Sequence, residues 1–279
     1  MMKEKDSQDR VVNLKSATIG DVPTRRKGIY LLPNLLTTGA LFGGFYAVLS
    51  GFSGQYEWAA MAIFIAMIFD GLDGRVARMT NTESAFGVQY ESLSDMVSFG
   101  VAPAVVAYGW GVSGLGKLGL AAVFVYASCA ALRLARFNVQ AELSDNKSFT
   151  GLPSPAAAAI VAGFVWSTYQ VETSLGLAVI GAAITAVSGL LMVSNFKYPS
   201  CKEVDFPGKV PFIVILSVVM GFVVITIEPA LILFTMAIVF GFSAPLMWIW
   251  KKLNPTLSNN ADYFRLGMCE KNWLNTIHE

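Results

Sequence analysis

Residues 69–95 read FDGLDGRVARMTNTESAFGVQYESLSD, between WAAMAIFIAMI upstream and MVSFGVAPAVVAYGWGV downstream. Asp70, Asp73, Glu91 and Asp95, with Arg75 and Arg78 among them, therefore sit against near-pure hydrocarbon. Positions three or four apart on a helix share a face. Asp70 and Asp73 are three apart, with Ala77 continuing their face, and Gly87, Glu91 and Asp95 follow at intervals of four. Two such helices, joined by a turn at TNTES and packed antiparallel, bring these carboxylates together at shallow membrane depth. Like charges that close repel unless cations neutralise them. All-oxygen ligation suits hard divalent ions such as Mg²⁺, Mn²⁺ or Ca²⁺, and four carboxylates suit two of them. A metal pair at a membrane-embedded site is machinery for displacement at phosphorus, because it gathers phosphate oxygens and helps activate an attacking hydroxyl. The plainer reading makes these groups helix-end charges paired with Arg75 and Arg78. Face-matched spacing of all of them favours the metal site, and ionisable groups in membrane segments are functional candidates by default.

Composition agrees with a membrane setting. The chain has 279 residues, 54% hydrophobic and 14% charged, with a mean hydropathy of +0.56. A soluble domain carries about 25% charged residues. The net charge of +1 offers no pooled basic surface, so no nucleic-acid partner is expected. Cys129, Cys201 and Cys269 are scattered and lack metal-ligand spacing, which reads as reduced structural thiols. The polar start of the chain gives no expectation of a cleaved signal peptide.

A membrane-crossing helix needs about 20 apolar residues. On that scale eight segments qualify: 30–51, 56–79, 86–110, 117–140, 153–171, 174–194, 210–227 and 229–250. The expected fold is thus an all-α integral membrane protein of about eight transmembrane helices. Residues 1–29 form a polar, basic N-terminal segment, 30–252 the transmembrane catalytic domain, and 253–279 a polar tail. Glu228-Pro229 divides what is otherwise one overlong apolar run. Lysine and arginine concentrate in the N-terminal segment and on alternate connections, with Lys117 the exception. The positive-inside rule then puts both termini and the carboxylate cluster on the cytoplasmic side.

The run Asp70-x-x-Asp73-Gly74-x-x-Ala77-Arg78, then eight residues, then Gly87-x-x-x-Glu91-x-x-x-Asp95, closely resembles the signature of the CDP-alcohol phosphatidyltransferases. The resemblance implies an integral membrane enzyme, six of whose helices form the family core, that moves a phosphatidyl group from a CDP-lipid to an alcohol and releases CMP. It implies that Asp70, Asp73, Glu91 and Asp95 bind two divalent cations, Mg²⁺ or Mn²⁺, with Ca²⁺ a non-productive occupant. Asp95 would also be the general base. Gly74, Ala77, Arg78 and Gly87 would hold the CDP group, and small residues with an arginine fork do suit a close-lying pyrophosphate. Asn34 and Thr37 in LPNLLTTG resemble first-helix positions near the nucleotide, though capping at a helix entry is an equal reading. The signature has aspartate where this chain has Glu91. The extra methylene moves the carboxylate by about 1 Å, a displacement that can cost about a hundredfold in rate.

CAALRLARFNVQ, KSFTGLPSPAAAA and MVSNFKYPS resemble segments of the membrane-spanning phosphatidylserine synthases of bacteria and archaea, a branch of that family. This implies CDP-diacylglycerol and L-serine as substrates, a bacterial or archaeal inner membrane, and a homodimer. Serine needs a cation for its carboxylate and acceptors for its ammonium. Arg133, Arg136 and Lys197 are candidates for the first, and Asn138 and Ser154 for contacts around the substrate. Arg133 and Arg136 fit a positively charged membrane-surface anchor equally well. Glycerol 3-phosphate, an inositol phosphate or choline are the alternative acceptors. A divalent-cation transporter is the competing class, but it calls for midplane ligands on broken helices and often pseudo-repeats.

Overall fold

The computed structural model describes residues 31–80, 82, 84–143, 151–196, 198 and 212–253; the basic N-terminal segment, Lys197 and the tail beyond Leu253 lie outside them. The described residues form helices: α1 (Leu31–Phe52), α2 (Tyr56–Met79), α3 (Ala85–Asp95), α4 (Ala102–Trp110), α5 (Lys117–Leu143), α6 (Ser154–Thr168), α7 (Leu175–Val193), α8 (Phe212–Ile227) and α9 (Pro229–Leu253). A π-helical turn, Met96–Val101, joins α3 to α4, and a short 3₁₀ turn, Val112–Leu115, precedes α5. Each of the eight apolar segments is therefore helical, the third running on through α3, the π turn and α4. Pro229 begins α9 at a first-turn position, where its missing N–H is no loss. Ser84 caps α3 by accepting from the Gly87 N–H at 3.0 Å, and Ser174 caps α7 by accepting from the Leu177 N–H at 3.3 Å.

The π turn has a local cause. Pro103 has no N–H to donate to the Phe99 carbonyl one helical turn earlier. The Ala102 N–H reaches back to Val97, five residues away, and the orphaned Phe99 carbonyl accepts instead from the Tyr126 hydroxyl at 2.9 Å. Both side chains are fully buried.

Small residues set the packing. Ala47, Ala59, Ala60, Ala66, Ala102, Ala157, Ala158 and Ala162 are buried where helices meet, as expected when close backbone approach replaces bulky knobs. A very close crossing lies between α1 and the π turn. A Cβ on Gly44 would stand 2.5 Å from Ser98 Oγ and 2.6 Å from Ser98 Cα, so no larger residue fits. Two serines one turn apart stitch this crossing. Ser94 Oγ donates to the Thr37 carbonyl at 3.1 Å, and Ser98 Oγ donates to that of Ala40 at 2.9 Å. The middle of the bundle is α6, whose Ile160, Val161, Phe164 and Val165 are buried. It packs against α2, α7 and α9.

Among the described residues, four helical stretches are long and apolar enough to cross a membrane: Leu31–Phe52, Lys117–Gln140, Leu175–Val193 and Pro229–Trp250. Their outer faces expose Phe42, Phe52, Leu120, Phe124, Leu175 and Leu246. Contiguous apolar surface of that kind belongs against hydrocarbon rather than water.

Candidate active site

The charged end of α2 meets the start of α3, and the acidic side chains converge there. Asp70, Asp73 and Glu91 each offer a carboxylate oxygen, all within 4.8 Å of one another. The carboxyl group of Asp95 lies at hydrogen-bonding distance from that of Asp70. Two carboxylates in such contact repel unless a proton or a cation lies between them. Asp70, Asp73 and Glu91 thus come together as the face-matched spacing anticipated, with Asp95 reached through Asp70, but the antiparallel pairing expected of α2 and α3 is replaced by the packing of each on α1.

Asp73 shows that this cluster fits a metal. It is 3% exposed, and its Oδ2 accepts from the buried Thr37 hydroxyl at 2.7 Å. Its Oδ1 is buried with no hydrogen-bond partner among the described residues. A buried, unsatisfied carboxylate oxygen is costly. A hard cation shared with Asp70 and Glu91 satisfies it, and all-oxygen donors are the set Mg²⁺ and Mn²⁺ prefer.

A cavity of about 100 Å³ opens beside the cluster. Asn34, Thr37, Asp73, Gly74, Ala77, Arg78, Gly87 and Glu91 line it, so every position the sequence pointed to for the CDP group faces one space. Glycine keeps that space open. A Cβ on Gly87 would fall 3.2 Å from Ser84 Oγ and 3.6 Å from Asn34 Oδ1, filling the gap between α3 and α1. Pro33, Thr82, Ser84 and Val88 also line it and escaped the sequence reading. Of these only Ser84 carried a legible signal, as a cap ahead of a helix start.

The other wall of the site comes from α5. Arg133 is half-buried, and its charge lies close enough to Asp95 and Asp70 to interact with both. Its Nη1 donates to the Ser154 hydroxyl at 2.7 Å, while its Nε is buried without a partner among the described residues. Ser154 is the first residue of α6, and the chain before it is pinned to the end of α7. The Gly151 N–H donates to the Phe196 carbonyl at 2.8 Å, and the Leu152 N–H to that of Leu191 at 3.0 Å. Gly151 has φ +88°, and a Cβ there would collide with the Met192 carbonyl. Asn138 Oδ1 accepts from Ser92 Oγ at 3.1 Å, next to Glu91 on α3. Arg136 Nη2 donates to Asn195 Oδ1 at 3.1 Å, a partner the sequence did not suggest. Lys197 lies outside the described residues.

The sequence matches the CDP-alcohol phosphatidyltransferase family over residues 30–243. The chain belongs to that family. It is 38% identical over 196 residues to a CDP-diacylglycerol–serine O-phosphatidyltransferase of Helicobacter pylori, covering 70% of this chain and 83% of that one. It is 40% identical over 158 residues to the Methanocaldococcus jannaschii protein of the same name, covering 56% and 68%. It is 35% identical over 170 residues to an archaetidylserine synthase of Methanothermobacter thermautotrophicus, covering 60% and 69%. Among solved structures, the phosphatidylinositol phosphate synthase of Mycobacterium tuberculosis with CDP-DAG bound aligns with a TM-score of 0.43 at 19% identity, over 59% of this chain and 82% of that one. Family membership and the apolar helices together make this transferase-family chain an integral membrane protein.

Proposed function

We propose that this chain transfers the phosphatidyl group of CDP-diacylglycerol to the hydroxyl of L-serine, giving phosphatidylserine and CMP. The observation that carries the reading is Arg133. Its charge interacts with Asp95 and Asp70, it stands outside the lining of the Arg78-lined cavity, and its buried Nε has no partner among the described residues. One flank of the cluster is thus suited to a nucleotide pyrophosphate and the other to an acceptor that carries a carboxylate. The names of the relatives from Helicobacter pylori and Methanocaldococcus jannaschii support the same acceptor.

In this mechanism Asn34, Thr37, Gly74, Ala77, Arg78 and Gly87 hold the CDP group, with the Arg78 fork on pyrophosphate oxygens. Arg133 and Ser154 orient serine, with Arg136, Asn138 and Lys197 completing the acceptor side. Asp95 takes the hydroxyl proton as the serine oxygen attacks the β-phosphorus. The bond from that phosphorus to the CMP oxygen breaks, and CMP departs with the electron pair. Asp70, Asp73, Glu91 and Asp95 would hold two divalent cations, Mg²⁺ or Mn²⁺, which offset charge on the pyrophosphate when bound. Ca²⁺ would occupy the same oxygens without productive turnover. The catalytic domain spans 30–252 and crosses the membrane about eight times, six helices forming the core. Both termini and the site face the cytoplasm of a bacterial or archaeal cell, and the enzyme is a homodimer.

Membranes containing the protein, given radiolabelled serine, are expected to form labelled lipid only when CDP-diacylglycerol is added. Labelling from glycerol 3-phosphate, inositol phosphate or choline in place of serine would reassign the acceptor. Arg133→Ala is expected to raise the KM for serine by about thirty- to a hundredfold and to leave that for CDP-diacylglycerol near its starting value. Equal shifts for both substrates would make Arg133 an anchor or a nucleotide contact.

A further inference from the structure

The face that α5 presents to the site carries Tyr126, Ala130 and Arg133, spaced four and three residues apart so that they form one stripe. They meet the α3–π–α4 rod at Phe99, Gly100 and Asp95. Tyr126 donates to the Phe99 carbonyl at 2.9 Å. Ala130 lies against Gly100, where an added Cβ would stand 3.2 Å from the Ala130 Cβ. Arg133 faces Asp95, at the last residue before the π turn. The Tyr126 hydroxyl bond is the polar contact in this stripe that does not involve the site, and it goes to the carbonyl that Pro103 leaves without a helical donor. A buried carbonyl whose usual helical donor is replaced by proline favours the register that brings the Tyr126 hydroxyl to it.

We infer that Tyr126 is a positioning residue for the acceptor side: its bond to Phe99 sets the register of α5 against the α3–π–α4 rod and thereby holds Arg133 opposite Asp95. The inference rests on the reading of Arg133 as the acceptor-carboxylate contact. Removing the hydroxyl leaves the ring and its packing in place but frees the register. Arg133 then loses its alignment to the acceptor, while Arg78 and the glycines of the nucleotide cavity, on α2 and α3, keep theirs.

Tyr126→Phe is therefore expected to raise the KM for serine by about tenfold and to leave the KM for CDP-diacylglycerol within about twofold. A merely structural role would reduce the amount of active protein and lower the maximal rate, leaving both KM values unchanged; that result overturns the inference. A double-mutant cycle separates this inference from the reading beneath it. In the Arg133→Ala background, Tyr126→Phe is expected to add less than about twofold to the serine KM, because residues that act through one another are not additive. A full further tenfold increase there means that Tyr126 acts independently of Arg133, and the inference fails. If Arg133→Ala alone leaves the serine KM unchanged, the reading of Arg133 has failed. If Arg133→Ala shifts it and Tyr126→Phe does not, the positioning role alone has failed.

Discussion

Asp95→Asn is expected to lower kcat for phosphatidyl transfer by about a thousandfold, the middle of the range for loss of a general base. The substitution is nearly isosteric, and an asparagine can still meet Asp70 across the contact the two side chains share. What it cannot do is accept the acceptor's proton. The KM for CDP-diacylglycerol should move little, because the cavity that would hold the nucleotide is lined from α1, α2, the connection after it and α3 as far as Glu91, without Asp95. Asp95 is also proposed to share in holding the cations, so the measurement must separate the two roles. Rates are followed by CMP release across a Mg²⁺ titration. Loss of a base persists at saturating Mg²⁺, whereas loss of a ligand is recovered there. Full recovery of the rate at high Mg²⁺ would remove Asp95 from the role of base.

The second large effect is expected at Glu91, where the chain departs from the family's aspartate. Its carboxylate comes within 4.8 Å of oxygens from both Asp70 and Asp73, so the longer side chain still reaches the cluster. Glu91→Gln should nearly abolish turnover, because it removes a negative charge and an anionic ligand from a site that must bind divalent ions. Glu91→Asp should retain activity with a different Mg²⁺ or Mn²⁺ concentration for half-maximal rate, since shortening by one methylene moves the oxygens by about 1 Å. A Glu91→Gln enzyme with unchanged rate and metal response would make Glu91 a bystander. The site would then rest on Asp70, Asp73 and Asp95, and a one-metal mechanism would replace the proposed pair.

Much of this site was legible because it is local. Asp70, Asp73, Gly74, Ala77 and Arg78 share one helix, and Gly87, Glu91 and Asp95 share the next, so helical period alone groups them. A short turn then brings the end of one helix to the start of the next, and both pack on α1. Helix extents were legible for the same reason: each apolar run forms a helix, and Pro229 starts the last one.

The acceptor side was only partly legible. Arg133, Arg136 and Asn138 are neighbours in sequence, yet they go to three different partners: Ser154, Asn195 and Ser92. Nothing in the spacing of α5 distinguishes the half-buried Arg133 beside Asp95 from a membrane-surface anchor. That distinction depends on the register of α5 against the π turn and α4 and on Gly151 pinning the start of α6 to the end of α7, both contacts between residues far apart in the chain. The π turn after Asp95 is of the same kind. Pro103 announces a missing donor, but only the folded chain brings Tyr126 to supply it. By itself, then, the sequence determined the helices, the acidic faces of α2 and α3 and the family, because periodicity, composition and a gapped signature are properties of neighbouring residues. Which cation faces Asp95, which hydroxyls satisfy buried carbonyls and which residues enclose the cavity were decided by tertiary structure, because helix register is settled by close packing and the cost of burying an unpaired polar group.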